Sequence, residues 1–202
     1  MKGLSVIIPV KFPEPYVSSL CWNLEQILHY LDHEVLIQTE PGLTNAVVEG
    51  VKLASYDTIV VMDSDGSHNP NTVLKMYNLM QKSRKYNLMS KYDLIVGTKE
   101  KDETSWSRQF ISKVYRWFAK KLLDIKIRDP MSGFVLGTKT IFESLKPSSD
   151  YKFLLQLLMH NPKPIVFEWP IHFHKRKAGH SKASVITGFK TLHSIIVLWW
   201  NQ

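Results

Sequence analysis

Short apolar runs alternate with amphipathic stretches along the first hundred residues. Leu4–Val10 is apolar apart from Ser5 and is halted by Pro9 and the Pro13/Pro15 pair. A run of that length bounded by turn residues predicts a buried strand. Residues 16–31 place Val17, Leu20, Leu24, Ile27, Leu28 and Leu31 on one helical stripe. Glu34–Gln38 reads as a short strand, Leu43–Ala54 as an amphipathic helix and Thr58–Met62 as a further strand. A helix is expected from about Pro70, since proline suits a first helical turn, and a strand over Asp93–Gly97.

Lys99–Ser107 is polar and without period, a loop. Residues 107–123 predict the clearest helix, with Phe110, Ile111, Val114, Trp117, Phe118 and Leu122 as its core face. Arg108, Ser112 and Arg116 recur every fourth residue on an adjacent flank. Gly133–Gly137 reads as a strand, Tyr151–His160 as a helix and Pro164–Trp169 as the last strong strand, before a terminal helix over 184–200. No repeat, low-complexity tract or boundary interrupts residues 1–202, which are read as one domain. Alternating strands and helices predict an α/β fold, a mainly parallel central sheet with helices on both faces.

Composition narrows the partners. The 202 residues are 44% apolar and 22% charged, ordinary for a globular chain, so disorder is not expected. A net charge of +8 and a pI near 9.4 call for an anionic partner. The single cysteine, Cys21, excludes an intramolecular disulfide and a cysteine-based zinc site, and fits a reducing compartment. The first apolar run is too short and too soon broken for a signal peptide. No segment reaches the roughly 18–20 apolar residues that span a bilayer, so a soluble or peripherally bound protein is expected. After Glu168 there is no acidic residue, while Lys175, Arg176, Lys177, Lys182 and Lys190 all follow it. That segment ends in Ile195–Trp200, and Trp beside Lys favours a membrane interface.

The candidate chemistry lies at residues 59–70. There an apolar run breaks into Asp63-Ser-Asp65 and then a Gly-Ser-His-Asn-Pro turn. The end of a buried parallel strand is where such sheets present ligand sites. Two adjacent carboxylates repel unless a cation sits between them, and hard oxygen donors suit Mg²⁺ or Mn²⁺ with positions left for substrate phosphates. The pattern is a metal–diphosphate site. A haloacid-dehalogenase phosphohydrolase would carry its Asp-x-Asp-Gly near the N-terminus and a later Gly-Asp-x-x-x-Asp, which is missing. An EF-hand loop would need Glu where Leu74 stands. Phosphate-binding Walker A and dinucleotide Gly-x-Gly-x-x-Gly patterns are absent. His68, His172 and His174 invite a zinc reading, but without a third ligand at sensible spacing they are expected at the surface or on phosphate.

Several segments together resemble one family. Met62-Asp-Ser-Asp-Gly-Ser-His-Asn-Pro70 resembles the Met-Asp-Ala-Asp-Leu-Gln-His-Pro-Pro of family 2 glycosyltransferases, in the polyprenol- and dolichol-phosphate mannose synthase branch. Val96-Gly-Thr-Lys99 is similar to that branch's Gly-Thr-Arg strand end, and Asp129-Pro-Met-Ser-Gly-Phe134 to its Asp-Pro-Thr-Ser-Gly-Phe. Tyr151-Lys-Phe-Leu-Leu-Gln-Leu-Leu158 resembles its Gly-Tyr-Lys-Phe-x-x-Glu-Leu helix, and Arg176-Lys-Ala-Gly-His-Ser-Lys182 its Arg-x-x-Gly-Glu-Ser-Lys. The anchors keep the family order from residue 5 to residue 182.

The resemblance implies a GT-A fold, Rossmann-like, with Mg²⁺ or Mn²⁺, a nucleotide-sugar donor such as GDP-mannose or UDP-glucose, and inversion at the sugar carbon. It implies a polyprenyl phosphate acceptor at the cytoplasmic face of a membrane, with peripheral attachment and no nucleic acid partner. Asp63 and Asp65 would hold the metal, with Ser67 in the place of a family glutamine that approaches it. Pro9, Glu14, Ser64, Lys152, Arg176 and Lys182 match donor-binding positions. Lys99, Arg108 and Ser112 match the acceptor-phosphate cluster. Asp129 is a base for a hydroxyl acceptor or, ahead of that, a packing residue of its turn. A glycan or other hydroxyl acceptor is the alternative substrate, and a non-catalytic basic binding protein the alternative class. The chain departs from the pattern where Gln38 runs almost directly into Gly42-Leu-Thr-Asn-Ala46, an element of the family pattern being missing or compressed, and in carrying Lys99 for Arg and His180 for Glu.

Overall fold

The computed structural model of the protein describes residues 3–11, 15–85, 92–99, 117, 127–130, 132–147, 153–161 and 163–171. In chain order the elements are β1 (Leu4–Pro9), α1 (Pro15–Leu28), β2 (His33–Gln38), α2 (Leu43–Leu53), β3 (Thr58–Val61), α3 (Asn71–Lys85) and β4 (Leu94–Lys99). There follow β5 (Val135–Thr138), α4 (Lys139–Phe142), α5 (Phe153–His160) and β6 (Val166–Ile171). The strands form one sheet in the order β2-β1-β3-β5-β4-β6. All neighbours are parallel except β5, which runs antiparallel to both β3 and β4.

Alternation within each strand divides the core in two, because successive side chains leave opposite faces of a strand. Leu4, Val6 and Ile8 of β1 turn to the face covered by Leu20, Leu24 and Leu28 of α1 and by Val73, Met76 and Met80 of α3. Ile7 turns to the other face, against Val47 and Val51 of α2 and Leu154 and Leu157 of α5. Strands covered on both sides read as continuous apolar runs, which is why they were legible in the sequence. Gly50 lets α2 close on β1, since a Cβ there would lie 2.6 Å from Ile7 Cγ2.

Three details differ from expectation. The strand read at Gly133–Gly137 begins only at Val135, because Phe134 donates its N–H to the Ser132 hydroxyl (3.2 Å) in a turn. A short helix, α4, follows it without a polar-apolar period to announce it; its N-cap is Thr138, whose hydroxyl accepts from Ile141 N at 3.3 Å. Trp117 sits in a helix as expected but is 54% exposed rather than on the core face. Period shows that a stripe exists and not what it faces. The rest of the helix read over 107–123, and the terminal helix read over 184–200, lie outside the described residues. No helix among the described residues is long and apolar enough to cross a membrane.

The amino-terminal end of the sheet is tied by one carboxylate. Glu34 of β2 accepts from Ser5 Oγ (2.6 Å), Ser55 N (2.6 Å) and Ser55 Oγ (3.0 Å), linking β1, β2 and the chain that leads into β3. Burial pushes its carboxyl up, yet the hydrogen bonds from Ser5 and Ser55 outweigh that and hold it below the ordinary glutamate range. A depressed carboxyl stabilises the fold above its unfolded value, and the contribution is lost as pH falls through the folded one. Glu34→Gln should therefore cost about 1–2 kcal/mol at pH 7, the difference between charged and neutral acceptors. In urea titrations the gap to wild type should close as the pH falls from the ordinary glutamate range to below it; a gap independent of pH would remove the charge from this account.

Candidate active site

Strands β1, β3 and β4 all end on the same side of the sheet, and the expected site residues within the described part gather there. Pro9 closes β1 and Lys99 closes β4. Asp63 stands two residues beyond β3, whose Val61 pairs with Ile7. Extending that parallel register by two brings Pro9 level with Asp63. Met62 N–H donates to the Ile7 carbonyl at 3.1 Å, so the pairing continues past the last β3 residue.

Because β5 is reversed, its beginning lies at this same end. Val135 pairs with Val61 on one side and Val96 on the other. Two further residues along the antiparallel register bring Gly133 opposite Asp63. The contact is close: a Cβ on Gly133 would lie 2.8 Å from both carboxylate oxygens of Asp63. Only glycine leaves the carboxylate where it is.

The turn that delivers Gly133 is held by Ser132. Its hydroxyl donates to the Gly97 carbonyl (2.7 Å) and accepts the Phe134 N–H (3.2 Å), while Gly97 N donates to the Phe134 carbonyl (2.8 Å). Ser132 N reaches the Asp129 carbonyl at 3.3 Å, closing the turn around Pro130. Asp129 is half-buried there, and its backbone serves the turn. Arg128 N donates to Glu168 of β6 at 2.6 Å, fastening the approach to the turn.

The loop after β3 is shaped by its own side chains. Asp65 Oδ1 accepts the Ser67 N–H at 2.9 Å, a local turn that aspartate favours. Gly66 follows with φ +76°, a left-handed conformation that glycine adopts at little cost; a Cβ there would also meet the Tyr16 ring at 2.8 Å. Ser64 and Ser67 are buried, whereas the Asp63 side chain is 40% exposed. The Asp63 carboxylate is thus open to solvent beside buried hydroxyls.

His68, expected at the surface or on phosphate, is instead buried at 1% exposure. Its ring stacks on Phe134, centroids 4.7 Å apart and planes at 15°. Nδ1 accepts the backbone N–H of Asp63 at 3.3 Å. Among the described residues no group of three or more His, Cys, Asp or Glu side chains is placed to hold a metal. His172 and His174 lie outside the described residues, as do Glu14, Arg108, Ser112, Lys152, Arg176 and Lys182. The roles of Gly133 and His68 were not visible in the sequence: the signal was an antiparallel register, which residue types do not announce.

Two half-exposed carboxylates, buried hydroxyls and a lysine lie toward one end of a largely parallel sheet; such hard oxygen donors are of the kind that suits a divalent cation. Residues 23–146, more than half of the chain, match the model of glycosyl transferase family 2. The dolichol-phosphate mannosyltransferase of Pyrococcus furiosus is 34% identical over 161 residues, 77% of this chain and 44% of that protein. That of Saccharomyces cerevisiae is 33% identical over 160 residues, 74% of this chain and 58% of its own. The chain spans about half the length of the curated relatives it matches. In structure it is similar to glucosyl-3-phosphoglycerate synthase from Mycobacterium tuberculosis, with a TM-score of 0.70 at 12% identity over 98% of this chain and 80% of that one. Another structure of that synthase, in complex with Mn²⁺, UDP-glucose and phosphoglyceric acid, gives 0.69 at 12% identity over the same shares. The fold is GT-A, and the chain belongs to glycosyltransferase family 2.

Proposed function

We propose that the protein transfers a hexose, mannose first among the candidates, from a nucleotide diphosphate sugar to a polyprenyl phosphate. The observation that carries this reading is the meeting of Asp63 with Gly133. Two motifs distant in the sequence, each resembling the mannose synthase branch, come together where the Gly133 backbone lies against the Asp63 carboxylate. The names of the relatives support mannose and a dolichol phosphate acceptor.

Asp63 and Asp65 fit a divalent cation. Their oxygens are hard donors, and two carboxylates leave coordination positions to water and diphosphate, the usual situation of Mg²⁺ and Mn²⁺ in phosphate sites. The Gly133 backbone against Asp63 is a cradle that any side chain would fill. When bound, such a cation would neutralise charge that builds on the departing diphosphate. Ser67 would support it, with Pro9, Glu14 and Ser64 beside the donor. Lys152, Arg176 and Lys182 would take the donor's phosphates.

The acceptor would be bound by Lys99, Arg108 and Ser112. A phosphate monoester has its second pKa at about 6, so the attacking oxygen is already ionised at neutral pH. Orienting it and offsetting its charge are then the protein's tasks, and no strong base is required of Asp129. In this reading Asp129 belongs to the turn that seats Gly133. The acid-free basic segment after Glu168 would lie along the cytoplasmic face of the membrane, where the lipid acceptor is.

Radiolabelled GDP-mannose and UDP-glucose, supplied separately with a short polyprenyl phosphate, should give an organic-soluble product from the mannose donor only when Mn²⁺ or Mg²⁺ is present. Donor hydrolysis without lipid product would move the acceptor to a hydroxyl compound; neither turnover nor donor binding would favour a non-catalytic binding protein. Asp65→Ala should abolish the metal-dependent product, and unchanged turnover would remove Asp65 from the metal site. Gly133→Ala should displace the Asp63 carboxylate and lower Mn²⁺ affinity by about 10- to 100-fold, as disturbed metal surroundings do. Unaltered Mn²⁺ binding, followed by the spin resonance of the free ion, would argue against that contact.

A further inference from the structure

His68 is buried beside a site open to solvent, and the transfer reaction as described gives it no task. Three observations define its position. The ring lies flat on Phe134, itself fully buried. Phe134 is fixed in turn, its N–H on the Ser132 hydroxyl and its carbonyl on Gly97 N. The imidazole therefore rests on a wall anchored to β4 and has little freedom to turn.

Nδ1 accepts the backbone N–H of Asp63 at 3.3 Å. A ring nitrogen that accepts carries no proton, so in the neutral imidazole the proton sits on Nε2. Nε2 stands 3.9 Å from Asp63 Oδ2, beyond hydrogen-bond range. Gly133 bounds the same carboxylate from across the sheet. Asp63 is thus held by its backbone from the His68 side and limited at its carboxylate from the Gly133 side.

We propose that His68 is a positioning residue for Asp63: as the Nε2–H tautomer it secures the Asp63 backbone so that the carboxylate stays turned to a divalent cation and its diphosphate. The inference rests on the metal–diphosphate reading above. A histidine that only filled core space would be replaced without loss by an aromatic ring of similar size. A positioning histidine would not. His68→Phe keeps the stack on Phe134 and removes the acceptor. His68→Asn places an amide oxygen near the former Nδ1 and retains the acceptor.

The first test needs no variant. Long-range ¹H–¹⁵N correlation of the full chain with ¹⁵N-labelled histidine should report the Nε2–H tautomer for His68 at neutral pH; a proton on Nδ1 overturns the proposal. The second is Mn²⁺ binding in the presence of GDP or, separately, UDP, read from the free-ion spin resonance, with thermal melting as the control for folding. His68→Phe should weaken Mn²⁺ binding about 10- to 100-fold, and His68→Asn should restore most of that loss. If the two folded variants bind Mn²⁺ alike, whether as wild type or equally impaired, the positioning role is wrong. Absence of Mn²⁺ binding by the wild type with either nucleotide would overturn the metal reading and, with it, this role. The tautomer spectrum would still report which ring nitrogen faces Asp63 N–H.

Discussion

One reversed strand governs this molecule. Had β5 run parallel to its neighbours, its amino-terminal end would lie at the far end of the sheet, and the Asp129–Phe134 turn with it. Running antiparallel between β3 and β4, it carries that turn to the end where β1, β3 and β4 finish. Register then does the rest, because pairing Val61 with Val135 brings Asp63 level with Gly133. A one-residue slip would turn every β5 side chain to the wrong face, and Leu136, Val135 and Phe134 are all buried in their present places. The core thus fixes the register, and the register places a backbone with no side chain against the carboxylate.

The same arrangement reconciles a charged site with a double-sided core. The central strands are covered on both faces, and their polar side chains fall mostly toward strand ends. Burial falls away over a few residues: Val61 and Met62 are enclosed, whereas the Asp63 side chain is 40% exposed. Unpaired buried polar groups cost about 1–3 kcal/mol each, and side chains of the loop and its neighbouring turn pair several of the backbone groups here. Asp65 takes the Ser67 N–H, His68 takes the Asp63 N–H, and Ser132 serves both Gly97 and Phe134. These contacts hold the loop while leaving the carboxylates facing outward.

Strands were legible because burial on two sides leaves continuous apolar runs, and helices because α1, α2 and α3 each keep an apolar face. The Asp63/Asp65 pair was legible from its place at the end of such a run. Strand direction was not: a buried antiparallel strand has the same apolar composition as a parallel one, so the reversal of β5 left no mark on the period. Helix α4 has four residues, too few for a period. Trp117 shows the converse failure, an apolar position that a periodic stripe assigns to the core but the fold leaves exposed. Gly133 and His68 were hidden for a shared reason. Their partners are remote in sequence or lie in the backbone, and neither kind of contact is written in residue type.

The connection after β2 is short, running from Gln38 to Leu43. Gln38 is buried at the end of β2 and its carbonyl accepts the Val10 N–H at 2.8 Å, so pairing of β1 with β2 persists one residue past Pro9. The chain then turns through Pro41 and Gly42, whose φ of +95° a side-chain-bearing residue would resist. Helix α2 starts at once, its first turn closed by Ala46 N on the Gly42 carbonyl. This leaves β2 as an edge strand with Ile37 47% exposed. The end of β1 is therefore flanked by a short tight turn, while the ends of β3 and β4 are bridged by the longer turn that leads into β5. The half built on β5 is the one cross-tied through Ser132 and Gly97, and it is this half whose backbone meets the Asp63 carboxylate.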